Sequence, residues 1–95
     1  MSAYFVLQIE WTSDEARRSY LEGLGGMIEK YGGEFLVSSA DFRVAEGAWK
    51  PGRLVVIRFP TIGALSAWYD SEAYRPWREL RLKNSRSDAV IVEGD

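Results

Sequence analysis

Hydrophobic residues along this chain switch between two spacings. In residues 3–11 (AYFVLQIEW), 33–39 (GEFLVSS), 53–59 (RLVVIRF) and 87–93 (SDAVIVE) they form short β-branched or aromatic stretches, which predict strands. Residues 12–33 instead set Ala16, Tyr20, Leu24, Met27, Ile28 and Tyr31 on one stripe at helical spacing, predicting a helix. Thr12 and Glu15 form a capping box at its start, acidic residues fill its first turn, and Gly32 supplies a left-handed stop. Gly23, Gly25 and Gly26 each cost about 1 kcal/mol relative to alanine inside a helix, so they point to close packing first, or else to a bend or an adaptable segment.

Residues 41–47 (DFRVAEG) read as a bent continuation of the second strand or a short extra strand. In the turn at 48–52, Pro51-Gly52 suits the middle of a type II turn. Pro60 ends the third long strand, and Thr61 caps a helix over 62–70 with Ile62, Leu65, Trp68 and Tyr69 on one face. Ser71 caps a further helical segment over 72–84. Pro76 lacks the donor that a helix interior needs, so a kink or restart is expected near it. The order is β-α-β-β-α-β, the ferredoxin-like α+β arrangement in one domain over 1–95, with the helices on one face of the sheet. Two helical crossovers predict an antiparallel-type mixed sheet with the first and third strands parallel at its centre.

Alternation sharpens this picture. The first strand has Phe5, Leu7 and Ile9 on one face and Tyr4, Val6 and Gln8 on the other. The third has Val55, Ile57 and Phe59 opposite Leu54, Val56 and Arg58. The last has Ala89 and Ile91 opposite Val90 and Val92. Neither face is polar throughout, whereas a sheet wetted on one side shows clean alternation. A second copy packed face to face would cover the helix-free side, which predicts a homodimer. Gln8 and Arg58 are the polar exceptions on that side. Parallel neighbouring strands would bring them to one end of the inter-sheet space, with Arg58 either paired to Glu10 or a partner's carboxylate, or receiving a substrate carboxylate.

Composition limits the chemistry. The chain has 95 residues, 46% hydrophobic, with 12 basic against 14 acidic residues, a balance that argues against nucleic acid as a partner. It has no Cys and no His, which removes thiol catalysis, a histidine-ligated haem and a Ser-His-Asp triad for a single chain type. No cofactor is called for. Any acid–base work falls to Tyr, Asp or Glu, with Tyr4, Tyr20, Tyr31, Tyr69 and Tyr74 as candidate proton donors. The N-terminal apolar run is short and lacks a basic start, so neither a signal peptide nor a membrane span is expected, and the cytoplasm is the default.

Two stretches carry candidate ligand contacts. Residues 67–81 mix Trp68, Tyr69, Tyr74 and Trp77 with Arg78 and Arg81, an aromatic wall with guanidinium groups that suits a flat anionic molecule. The same stretch reads more readily as a helix packed on the sheet with its arginines reaching outward. Residues 46–53 set Trp49, Lys50 and Arg53 around a turn, which serves either a ligand or a clasp on a partner subunit. The candidate ligand residues are therefore Gln8, Trp49, Arg58, Trp68, Tyr69, Tyr74 and Arg81, with no catalytic residue singled out and no metal ligand.

The stretches YGGEFLV, EGAWKPGRLVVIRFP, AWYDSEAY and AVIVEG, in this order and spacing, resemble the domain-of-unknown-function 1330 family over Ala3 to Gly94. That family resembles the dimeric α/β-barrel superfamily, which implies a ferredoxin-like fold and a face-to-face dimer. Relatives on that fold include small monooxygenases, dismutating haem enzymes and muconolactone isomerases. The family has no settled activity, so the resemblance implies fold and assembly rather than a reaction. Ser38-Ser39-Ala40, Glu34, Glu72-Ala73 and Arg58 depart from the family's usual pattern. Two functions stay open: a cofactor-free enzyme or binder acting on a small organic acid, and a non-catalytic structural or stress-associated dimer with a packed interior.

Overall fold

Period-two burial in the first strand sets the layout. In the computed structural model, which describes residues 1–95, strand β1 (Ser2–Trp11) buries Ala3, Phe5, Leu7 and Ile9 and leaves the residues between them partly exposed. Strand β3 (Arg53–Phe59) does the same with Val55, Ile57 and Phe59. Strands β2 (Glu34–Ser39) and β4 (Ser85–Gly94) complete a four-stranded sheet in the order β2-β3-β1-β4. Every neighbouring pair is antiparallel, so the expected parallel pairing of the first and third strands is wrong. The reason lies in the connections. The helical crossover makes the first two strands parallel, and the return from β2 into β3 reverses the chain between them.

The helices cover the buried face. Helix α1 (Asp14–Leu24) contributes Ala16, Tyr20 and Leu24, and α2 (Met27–Lys30) contributes Ile28. The expected single helix breaks at Gly25 and Gly26, both at positive φ, a conformation that only glycine adopts without strain. Gly23 stays within α1, and a Cβ there would lie 2.4 Å from the Trp77 ring, so close packing is its role. The cap of α1 is Ser13, whose hydroxyl accepts from Ala16 N at 3.1 Å, rather than Thr12.

Thr61 caps α3 (Ile62–Tyr69) as expected, accepting from Ala64 N at 3.0 Å. Helix α4 (Arg75–Lys83) starts with Pro76 in its first turn, where a missing donor costs nothing, and this is the expected restart. Within the core Trp68 is fully buried, stacked on Phe59 at 5.5 Å and close to Tyr74 at 4.4 Å between ring centroids.

Two expectations about the β2–β3 connection fail. Residues 41–45 pair with no strand and form an arm that leaves Phe42 and Val44 exposed. Gly52 has no positive φ, so the turn is not type II. Glycine is required there because a Cβ would meet the Ile9 carbonyl oxygen at 2.4 Å.

The helix-free face is apolar across its middle. Val37 pairs with Val56, Val56 with Val6, and Val6 with Val90, so one valine row crosses all four strands. Glu34, Arg58, Tyr4 and Val92 make the row on one side of it, and Ser39, Leu54, Gln8 and Asp88 the row on the other. Val37, Val90 and Val92 are all exposed in the isolated chain.

Candidate functional site

Helix α1 leans on the sheet without filling the space above its β2–β3 half. A cavity of about 220 Å³ remains there. The sheet side is made by Phe5, Leu7, Ile9, Val55 and Ile57, and the helix side by Tyr20, Leu21 and Leu24. Trp11 and Phe35 close two flanks. Three further polar residues line it: Arg17, Ser38 and Arg53. These three keep solvent contact, as do Trp11, Leu21 and Phe35, whereas Phe5, Leu7, Ile9, Val55 and Ile57 on the sheet side are buried.

Local structure explains these positions. Arg17 precedes Tyr20, Leu21 and Leu24 on α1 by three, four and seven residues, which puts it on their face. Arg53 precedes Val55 and Ile57 on β3 by two and four, so it points to the cavity side. Its Nε donates to Ser38 Oγ and its NH2 to the Ser38 carbonyl, both at 3.2 Å. The ion pairs of the chain are Arg58–Glu34, Arg75–Glu72 and Arg86–Glu10, so neither Arg17 nor Arg53 is neutralised by a carboxylate.

Behind the Tyr20 wall lies a buried polar group. The Tyr20 and Tyr74 hydroxyls are 2.6 Å apart. Burial pushes the Tyr20 phenol well above its usual range, and the adjacent Tyr74 adds to this. Tyr20 therefore stays protonated at neutral pH, as a hydrogen-bonding group rather than a base. Arg81 is 1% exposed and donates to Ser87 Oγ at 3.1 Å, while its Nε has no partner. Burial works against its charge, but the oxygens of Tyr74, Tyr20 and Tyr69 outweigh that and raise its pKa. No carboxylate pairs with it.

The predicted site residues split between the helix-free face and the core. Gln8 and Arg58 do not meet, because antiparallel pairing sets Gln8 opposite Leu54 and Arg58 opposite Tyr4. Gln8 is a brace: its amide donates to Asp88 at 2.8 Å and its carbonyl accepts from Gly52 N at 2.9 Å. Arg58 is exposed, donates to Ser2 Oγ at 3.2 Å and pairs loosely with Glu34 at 3.8 Å, not with Glu10. Trp49 is 57% exposed and borders a shallow groove with Val6, Leu54 and Val90 on the helix-free face. Trp68 belongs to the core. Tyr69 lies under the Arg78 guanidinium at 5.0 Å. Trp68, Tyr69, Tyr74 and Arg81 come together behind the cavity wall, and Arg81 turns inward rather than out to solvent. Arg17 was not singled out, although its spacing from Leu21 and Leu24 carried the signal. Nowhere do three or more His, Cys, Asp or Glu side chains gather to hold a metal ion.

Comparison with known proteins agrees with the fold. A family model described as Domain of unknown function (DUF1330) matches residues 2–95. No curated protein matches the chain by sequence. Among solved structures, a protein of unknown function from Rhodopseudomonas palustris is 13% identical with a TM-score of 0.78, covering 99% of this chain and 82% of that one. A dimeric ferredoxin-like protein of unknown function from Jannaschia sp. CCS1 is 15% identical with a TM-score of 0.74, covering 99% of this chain and 100% of that one. SnoaB, a cofactor-independent oxygenase from Streptomyces nogalater, is 14% identical with a TM-score of 0.66, covering 99% of this chain and 93% of that one. At such identities the likeness is one of fold.

Proposed function

The chain belongs to the DUF1330 family, and from that premise we propose that it works as a cytoplasmic homodimer that takes a small organic acid into the cleft between α1 and the sheet, without a cofactor. The cavity of about 220 Å³, lined mainly by apolar side chains, carries this reading. An unfilled space of that size speaks against a merely structural module with a packed interior, since cores ordinarily close to near crystal density.

The valine row supports the dimer. Two copies laid sheet against sheet, as in a dimeric α/β barrel, would cover Val37, Val56, Val6 and Val90 from solvent, and a Jannaschia neighbour of this fold is described as dimeric. Of the residues picked from sequence, Gln8, Trp49 and Arg58 then serve the subunit interface. Tyr74 and Arg81 support Tyr20 from behind the cavity wall, while Trp68 and Tyr69 hold that wall in place.

Capture of the ligand is favoured over acid–base turnover, because no Asp, Glu, His or Cys lines the cavity. A second reading, cofactor-free turnover, is favoured by the Tyr20–Tyr74 hydroxyl pair at the wall and by SnoaB, a cofactor-independent oxygenase of similar fold. A carboxylate library screened by amide-resolved NMR tests the site. Shifts clustered at Leu24, Phe35, Val55 and Ile57 are the expected result. Hits that shift only the helix-free face would move the ligand elsewhere. Light scattering of Val56→Glu tests the dimer: the expected outcome is a folded monomer, and an unchanged mass for both proteins would refute it.

A further inference from the structure

We infer that the cleft selects apolar monocarboxylates and holds them in one direction, with the carboxylate between Arg17 and Arg53 at the open side and the apolar body against Phe5, Val55 and Ile57. This rests on the cleft being the binding site and goes further by naming the ligand class and its receptor. Three observations carry it. Arg17 and Arg53 line the same cavity and belong to none of the chain's ion pairs, although both keep solvent contact. Arg53 is held by Ser38 through Nε and NH2, which leaves NH1 uncommitted on a fixed guanidinium. The remaining lining is apolar apart from Tyr20 and Ser38, so a second charged group on the ligand would be desolvated without a partner.

Chemistry follows from that layout. A guanidinium matches a carboxylate through paired N–H donors, and two of them at one opening fix both position and sign of charge. Amines are repelled at the mouth, and dicarboxylates would bury one charge on the floor. The volume of about 220 Å³ lies below the range of drug-sized pockets, roughly 300–1,000 Å³, which limits the body to a single ring or a short chain.

Cinnamate, cinnamyl alcohol and cinnamylamine share one body and differ in the head group, so they separate the clamp from the cleft. Titrations of the intact protein are followed by amide NMR and by Trp11 fluorescence. Cinnamate should bind about ten- to a hundredfold tighter than the alcohol, and the amine should not bind. Arg17→Met with Arg53→Met should bring cinnamate down to the affinity of the alcohol. Arg17→Met alone breaks no hydrogen bond inside the protein and should give part of that loss with unchanged circular dichroism. Equal affinity for acid and alcohol in the cleft would overturn the clamp and leave the cleft standing. A preference for cinnamate that survives both variants would overturn the assignment to these arginines. Absence of any cleft shift with all three probes would overturn clamp and cleft together.

Discussion

Replacing Tyr20 by phenylalanine separates two effects that the buried hydroxyl pair combines. At neutral pH the substitution removes a hydrogen bond of 2.6 Å and strands the buried Tyr74 hydroxyl, which costs about 1–3 kcal/mol. In alkali this advantage falls away. The folded-state pKa of Tyr20 is raised by burial and by Tyr74, so the native chain still holds this proton where the unfolded chain has released it. A raised pKa gives stability that is complete below the unfolded value, near pH 10, and is lost as pH climbs above it. With one more proton bound in the native state, the loss approaches about 1.4 kcal/mol per pH unit, or roughly 2 kcal/mol by pH 11.5. Urea unfolding of both proteins, read by tryptophan fluorescence at fixed protein concentration from pH 8 to 11.5, measures the difference directly. The wild-type advantage should hold up to about pH 9.5 and then shrink by roughly 2 kcal/mol. Parallel stability curves across the whole range would refute the claim that Tyr20 is buried and tied to Tyr74.

Three further outcomes test the packing. Gly23→Ala puts a Cβ within 2.4–2.6 Å of the Trp77 ring, and overpacking of about 1–3 kcal/mol should exceed the gain in helix propensity of about 1 kcal/mol. Its melting temperature should fall, and a rise would mean that Trp77 moves aside freely. Gly52→Ala meets the Ile9 carbonyl oxygen at 2.4 Å, a backbone atom that cannot turn away. Hydrogen exchange at the Gly52 amide, now held by Gln8, should accelerate together with a loss of stability, and unchanged protection would argue against the close approach. Arg58→Ala removes an exposed pair of 3.8 Å and an exposed hydrogen bond of 3.2 Å to Ser2 Oγ, so subunit stability should change by less than about 1 kcal/mol and affinity for cinnamate should not change. Weakened cinnamate binding would return Arg58 to the ligand site.

The elements were legible because each carries its own local signal, and strand direction was not. The period-two faces of β1 and β3, the cap at Thr61 and the restart at Pro76 all follow from residues within one turn or strand of each other, whereas Ser71 accepts from Tyr74 N in the turn before α4 and does not cap that helix, which starts at Arg75. Whether β1 and β3 run together or opposed depends on the path of the whole chain. Placing Gln8 beside Arg58 was an error of that kind. Arg81 misled for a different reason: arginine usually reaches solvent, but here Ser87 and three tyrosine oxygens offer it an interior alternative.

Register across β2 was the least legible feature, and it has the largest consequence for the proposed site. Simple alternation would set Phe35 and Val37 on the same face. The sheet instead shifts register between them, with Phe35 opposite Ile57 and Val37 opposite Val56, so Leu36 is the extra residue of a bulge. That single inserted position sends Phe35 to the helix side, where it closes the cavity, and sends Val37 to the helix-free side, where it completes the valine row. A strand without the bulge would supply one of these surfaces and not the other. The pocket wall and the proposed subunit contact thus depend on the same irregularity, which appears only once β2 is laid against β3.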